Sequence, residues 1–130
     1  MSDDTNLPND DESTRPESLL TGRSNPRISL DYIVTLTGKL ESSHQSIRLR
    51  YVPDKLLIDG AAFTAYLAFL DGDGAVAPEH VALTLLDEMN NEIVPRWVQI
   101  AVTGGSETVI VEDRQPNWEN SDILDRLPPL

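Results

Sequence analysis

The sequence predicts an α+β domain, a four-stranded antiparallel sheet with two consecutive helices packed on one face. Three observations carry that expectation: four segments alternate apolar and polar residues, these group into two hairpins, and two stretches with apolar residues at helical spacing stand between the hairpins.

The first predicted strand starts at Ile28, with Ile28, Leu30, Tyr32, Val34 and Leu36 on one face and Ser29, Asp31, Thr35 and Thr37 among those on the other. After a polar stretch from Gly38 to His44, the segment QSIRLRYVP sets Ile47, Leu49 and Tyr51 against Arg48 and Arg50, and Pro53 ends it. Asp59 is placed to cap a helix over AAFTAYLAFL, where Phe63, Tyr66, Leu67 and Leu70 share a face. That helix stops at DGDG, a turn without the ligand spacing of about twelve residues that a calcium loop needs. Pro78 opens the second helix, with Val81, Leu85, Leu86 and Met89 at helical spacing and Asn90-Asn91 suited to its end. Two strands close the domain, RWVQIAV and ETVIVED, joined by Gly104-Gly105-Ser106.

Composition bounds the function. The chain has 130 residues, and its polar ends leave about 90 for one modest core. Residues 1–26 read as a disordered acidic tail, 27–113 as the domain, and 114–130 as an extension packing on the sheet or on a neighbouring subunit. The net charge of −12 repels nucleic-acid phosphates, so no nucleic-acid partner is expected. No apolar run approaches the roughly 18 residues of a spanning helix, so no membrane association is expected either. MSDDTNLPNDDEST has neither the basic start nor the apolar stretch of a secretory signal, which makes the cytoplasm the expected location.

Cysteine is absent throughout, so the chain can form no thiolate nucleophile and no covalent thioester or thioimide. With His44 and His80 as the only histidines, one chain cannot assemble a zinc site from three nitrogen or sulfur ligands, and no metal is expected. Ser42 and Ser43 beside His44 read as loop residues rather than a catalytic pair, and no phosphate-binding glycine loop precedes a helix.

The order of elements resembles the tunnelling fold, the oligomeric barrel architecture of purine- and pterin-handling enzymes. Within it, the stretch beginning TGKLE, RLRYVPDKL, IDGAAFTAYL, the helix from PEH to DEM, and VPRWVQIAVTGG are similar to the 7-cyano-7-deazaguanine nitrile reductases of the queuosine pathway. The resemblance implies a homo-oligomer, in which the edge strands pair between subunits. It also implies a cysteine before a Thr-Gly pair, and reading Thr37-Gly38 as that pair puts Val34 in the nucleophile's place. A valine cannot attack a nitrile. The family's acid would fall at Glu41, a carboxylate on a longer arm.

Family positions that hold the nicotinamide dinucleotide phosphate fall at Ala61, Thr64, Asp71 and Thr103, none of them cationic, so no NADPH and no other cofactor is expected. The resemblance makes Glu79, followed by His80, the anchor of a purine or pterin ring, and Asp59 a second acid on the substrate side. Glu79 is equally an ordinary helix N-terminal glutamate, and Asp59 an ordinary cap. Three readings follow: an oligomeric module that holds a purine- or pterin-like ring without covalent reduction, an enzyme using Glu41 and Glu79 as acid and base, and a partner-binding protein with no small-molecule site. The missing thiol leans the reading away from an enzyme.

Overall fold

A computed structural model describes residues 20–72 and 77–129. The elements in chain order are β1 (Gly22–Ser24), β2 (Val34–Leu40), β3 (Gln45–Val52), β4 (Leu56–Ile58), α1 (Gly60–Gly72), α2 (Pro78–Glu92), β5 (Trp97–Gly104), β6 (Glu107–Arg114) and α3 (Ser121–Asp125). Strands β2, β3, β5 and β6 form one antiparallel sheet in the order β2-β3-β5-β6, while β1 and β4 pair as a separate short ribbon. The predicted α+β class, four-stranded sheet and two intervening helices are all present.

Register explains which face is buried. Val34 pairs with Tyr51, Leu36 with Leu49 and Gly38 with Ile47; across the next ladder Tyr51, Leu49 and Ile47 meet Val98, Ile100 and Val102. These residues point to the helix side, where α1 lies on β2 and α2 on β5 and β6. Phe63, Tyr66 and Leu67 from α1 and Val81, Leu85 and Met89 from α2 complete the core. Gly38 has a packing role in this layer, because a Cβ there would lie 2.3 Å from Leu67 Cδ1.

The first strand begins later than its alternation predicts. Residues 28–33 are not strand, and Ile28 and Leu30 are 50% and 49% exposed. Local bonds hold this segment in turns instead: Leu30 N donates to Arg27 O, and Arg27 N donates to the Asn25 side chain. The tail boundary also moves. Leu20 is fully buried and β1 pairs with β4, so residues 20–26 belong to the folded body; the expected disorder over 1–19 lies outside the described residues. Their order comes from β4, a partner that residues 1–26 taken alone do not reveal.

The C-terminal extension runs back along the molecule. Trp118 Nε1 and Asn120 Nδ2 both donate to Asp31 Oδ2, at 3.1 and 3.0 Å, and Arg50 Nη1 donates to Pro128 O at 2.6 Å. No helix among the described residues is long and apolar enough to cross a membrane.

Candidate functional site

The candidate residues separate into two groups at opposite ends of the sheet. Glu41 follows Leu40, whose rung partner is Gln45, and Gln45 in turn pairs with Gly104. Pro78 packs over that same rung: a Cβ on Gly104 would lie 2.9 Å from Gln45 Cγ and 3.3 Å from Pro78 Cγ. Glu79 and His80, the next residues of α2, therefore flank the end of the sheet on which Glu41 also sits. All three are exposed, and no hydrogen bond from their side chains occurs among the described residues.

Glu79 lies in the first turn of α2, where the unpaired backbone N–H groups favour a carboxylate. The helix has no side-chain cap, since Ala77 precedes it and Pro78 occupies the first position. A free carboxylate at such a place can accept two parallel N–H bonds from a ring, the bidentate geometry that gives directional recognition.

Asp59 stands elsewhere. It follows β4, whose Ile58 N donates to the Tyr51 hydroxyl at 2.9 Å, and Tyr51 shares a rung with Val34 at the far end of the sheet. Its carbonyl accepts from Phe63 N to start α1, and its side chain is exposed. Asp59 and Glu79 cannot meet one ring within a single chain, because α1 and the length of the sheet lie between them.

Val34 and Glu41 are separated for the same reason. The strand between them is extended, so seven residues at about 3.3 Å each put their backbones about 23 Å apart. The resemblance pairs these positions as nucleophile and acid, and the extended strand keeps them from acting together in one chain. Val34 is half-buried against the core and carries no polar atom on its side chain.

The positions matched to cofactor contacts have other occupations. Asp71, at the end of α1, accepts from Ser42 N at 3.0 and 3.3 Å and from Ser42 Oγ at 3.2 Å, tying the helix to the turn that carries Glu41. Thr103 and Thr108 share a hydroxyl hydrogen bond of 3.0 Å across β5 and β6. Ala61 and Thr64 lie exposed on α1, where the Thr64 hydroxyl donates to Gly60 O.

A polar cluster that the sequence gives no motif for lies at the Asp59 end. Arg96 donates to Asp31 at 2.9 Å, to Asp54 at 3.2 Å and to Ile28 O at 2.7 Å, while Gln115 donates to Asp54 at 3.0 Å. Asn25 and Tyr32 join it: Asn25 Nδ2 donates to Asp54 O and the Tyr32 hydroxyl to Asn25 Oδ1. Burial would raise the Asp31 carboxyl, but donation from Asn120, Arg96 and Trp118 outweighs it and holds the group below its ordinary 3.8. Every strong acceptor here is already engaged, which marks the cluster as a fastening rather than a binding site. Its members come from four separate stretches of chain, so no local pattern could have shown it.

No group of three or more His, Asp or Glu side chains suited to a metal occurs among the described residues. No protein-family model matches the chain. In sequence it is 32% identical, over 90% of its length, to the NADPH-dependent 7-cyano-7-deazaguanine reductase found in two strains of Acidithiobacillus ferrooxidans, of which it covers 92%. It is 27% identical over 80% of its length to the protein of the same name from Syntrophus aciditrophicus, covering 84% of that chain. The chain belongs to the 7-cyano-7-deazaguanine reductase family.

Proposed function

We propose that this protein is a member of the queuosine-pathway reductase family that holds a purine- or pterin-like ring at Glu79 without reducing it through a covalent intermediate. The observation that carries this reading is the absence of cysteine from the whole chain, with a valine at the matched position. A nitrile carbon needs a soft, charged nucleophile to form a thioimide, and no side chain in this sequence supplies one.

The relatives are NADPH-dependent by name, and the residues present here do not fit that cofactor's phosphate at the matched positions. Neither α1 nor α2 contains a lysine or arginine, while Asp71, Glu79, Asp87, Glu88 and Glu92 make this layer acidic. A phosphate dianion brought to it meets repulsion where a clamp needs charge-assisted donors. Asp71 moreover spends its carboxylate on Ser42.

What persists is the scaffold and one available carboxylate. Glu79 can accept from the paired N–H groups of a guanine-like edge, and its neighbours Glu41 and His80 add polar groups at the same end of the sheet. A second copy of the chain would complete the site, since the edges of β2 and β6 have no strand partner among the described residues and Glu79 is exposed.

Calorimetric titration of the purified full chain with 7-cyano-7-deazaguanine, guanine and a pterin tests this reading. Saturable heat with at least one of them, weakened at least tenfold by Glu79→Gln, is the expected result. No heat at sub-millimolar ligand would remove the ring-binding proposal and leave a partner-binding protein.

A further inference from the structure

The sheet face turned away from the helices carries the opposite charge character from the helix layer. Its residues follow from the register: Thr37, Arg48, Ala101 and Ile110 lie across one row, and Lys39, Ser46, Thr103 and Thr108 across the next toward the Glu41 end. They line a concavity of about 520 Å³. That volume suits a small organic molecule rather than a lone ion.

Two cations face this hollow without a counter-ion. Among the described residues neither Lys39 nor Arg48 forms an ion pair, and Arg48 Nε is buried with no hydrogen-bond partner. A buried guanidinium N–H left unpaired costs about 1–3 kcal/mol or more, so the site is incomplete as it stands. Glu112, the one acid of the four strands on this face among the described residues, is engaged elsewhere: it accepts from Trp97 Nε1 at 2.9 Å and pairs with Arg114 at 3.3 Å. Arg50, on the same strand face as Arg48, is spent on Gln99 and Pro128 O. Burial followed by the Arg48 charge lowers the Arg50 guanidinium, against the opposing pull of Glu112.

We infer that this hollow binds a phosphomonoester, its phosphate on Arg48 and Lys39 and its organic body over Ala101 and Ile110. Phosphate is favoured over carboxylate by the donor set. Thr37 and Ser46, with the one hydroxyl proton that the Thr103–Thr108 hydrogen bond leaves free, add donors around the two cations, more than the two oxygens of a carboxylate can use but matched to the oxygens of a dianion. In a chain of net charge −12 the excess acid would repel a phosphate from most other surfaces, whereas Lys39 and Arg48 bring two cations to one hollow. The site is on the opposite face from Glu79 and stands whether or not a ring binds there.

The test is an NMR titration of the isotope-labelled full chain with inorganic phosphate and, separately, acetate, at matched ionic strength. Phosphate is expected to shift the backbone amides of Thr37, Arg48, Thr103 and Thr108 together along one saturable curve, with acetate at least tenfold weaker. Arg48→Gln should weaken phosphate at least tenfold, and Lys39→Gln, at an exposed position without an ion pair among the described residues, several-fold. Shifts scattered over surface cations such as Arg23 and Lys55, equal binding of acetate, or unchanged affinity in the Lys39 variant would each overturn the proposal.

Discussion

The two ends of the sheet are built in opposite ways. At the Asp59 end, Asp31, Asp54, Arg96, Gln115, Trp118 and Asn120 satisfy one another and fasten the C-terminal extension to the chain entering β2. Toward the other end stand Glu41, Glu79 and Lys39, with Arg48 in the middle row of the sheet, and none of the four forms an ion pair among the described residues. A saturated network contributes stability and has nothing left to offer a ligand, whereas unpaired groups contribute little to folding and remain available. Changes at the first end should therefore move stability, and changes at the second should move binding.

The largest effect is expected for Arg96→Ala, which leaves Asp31, Asp54 and the Ile28 carbonyl without their shared donor. Loss of about 2–3 kcal/mol is predicted in urea unfolding, from the cost of several partly buried acceptors left unpaired. A change below about 0.5 kcal/mol would mean that the network is ornamental and that the contrast between the ends is wrong. Gly38→Ala should follow with a loss of about 1–3 kcal/mol, because its methyl group collides with Leu67 Cδ1 and the buried Leu67 side chain must repack.

Val94 sharpens the picture in the other direction. It sits just past α2 at φ 51°, a left-handed conformation that a β-branched residue adopts only under strain, and its side chain is 51% exposed. Val94→Gly is predicted to raise the midpoint of thermal unfolding, with a gain of about 0.5–1 kcal/mol after the entropic cost of glycine. A lower midpoint would show that the exposed valine contributes packing that outweighs its backbone strain.

A smaller effect at the fastened end is a pH dependence. The folded Asp31 carboxyl lies below its ordinary 3.8, so its contribution is fully present above that value and is lost as pH falls through the lower folded value. Asp31→Asn should remove this part of the acid limb of the stability curve, leaving a shallower decline below about pH 4. At the available end Glu79→Gln is expected to change unfolding by less than about 0.5 kcal/mol while weakening ring binding. Equal losses of stability at both ends would erase the distinction.

The elements that local periodicity governs were legible. Phe63, Tyr66, Leu67 and Leu70 mark the buried stripe of α1, and Val81, Leu85 and Met89 that of α2. Ile47, Leu49 and Tyr51 alternate as β3 requires, and Gly105 at φ 60° supplies the turn between β5 and β6. Alternation over residues 28–33 misled because side-chain bonds from Asn25 and a turn at Arg27 decide the backbone there. Three-residue strands such as β1 and β4 are too short to print a pattern, and the cluster around Arg96 joins residues far apart in the chain.

The candidate site was legible only in part. Glu79 and Glu41 could be named from resemblance, and the structure places them at one end; Asp59 could be named in the same way and lies at the other. Residue identity gives no distance, and an extended strand turns a short sequence interval into a long one. The Arg48 hollow was not legible because it depends on which cations find partners. Arg48 and Arg50 look equivalent in RLRYVP, yet Arg50 is 4% exposed with all three of its nitrogens hydrogen-bonded, while Arg48 keeps a buried Nε–H without a partner.

The most direct test is to inject 7-cyano-7-deazaguanine into the full chain in a calorimeter cell that also holds NADPH. Ring binding without reduction predicts heat that saturates and then returns to baseline. A sustained thermal power that persists until NADPH is consumed would show turnover and contradict the reading of a cysteine-free, non-reducing relative.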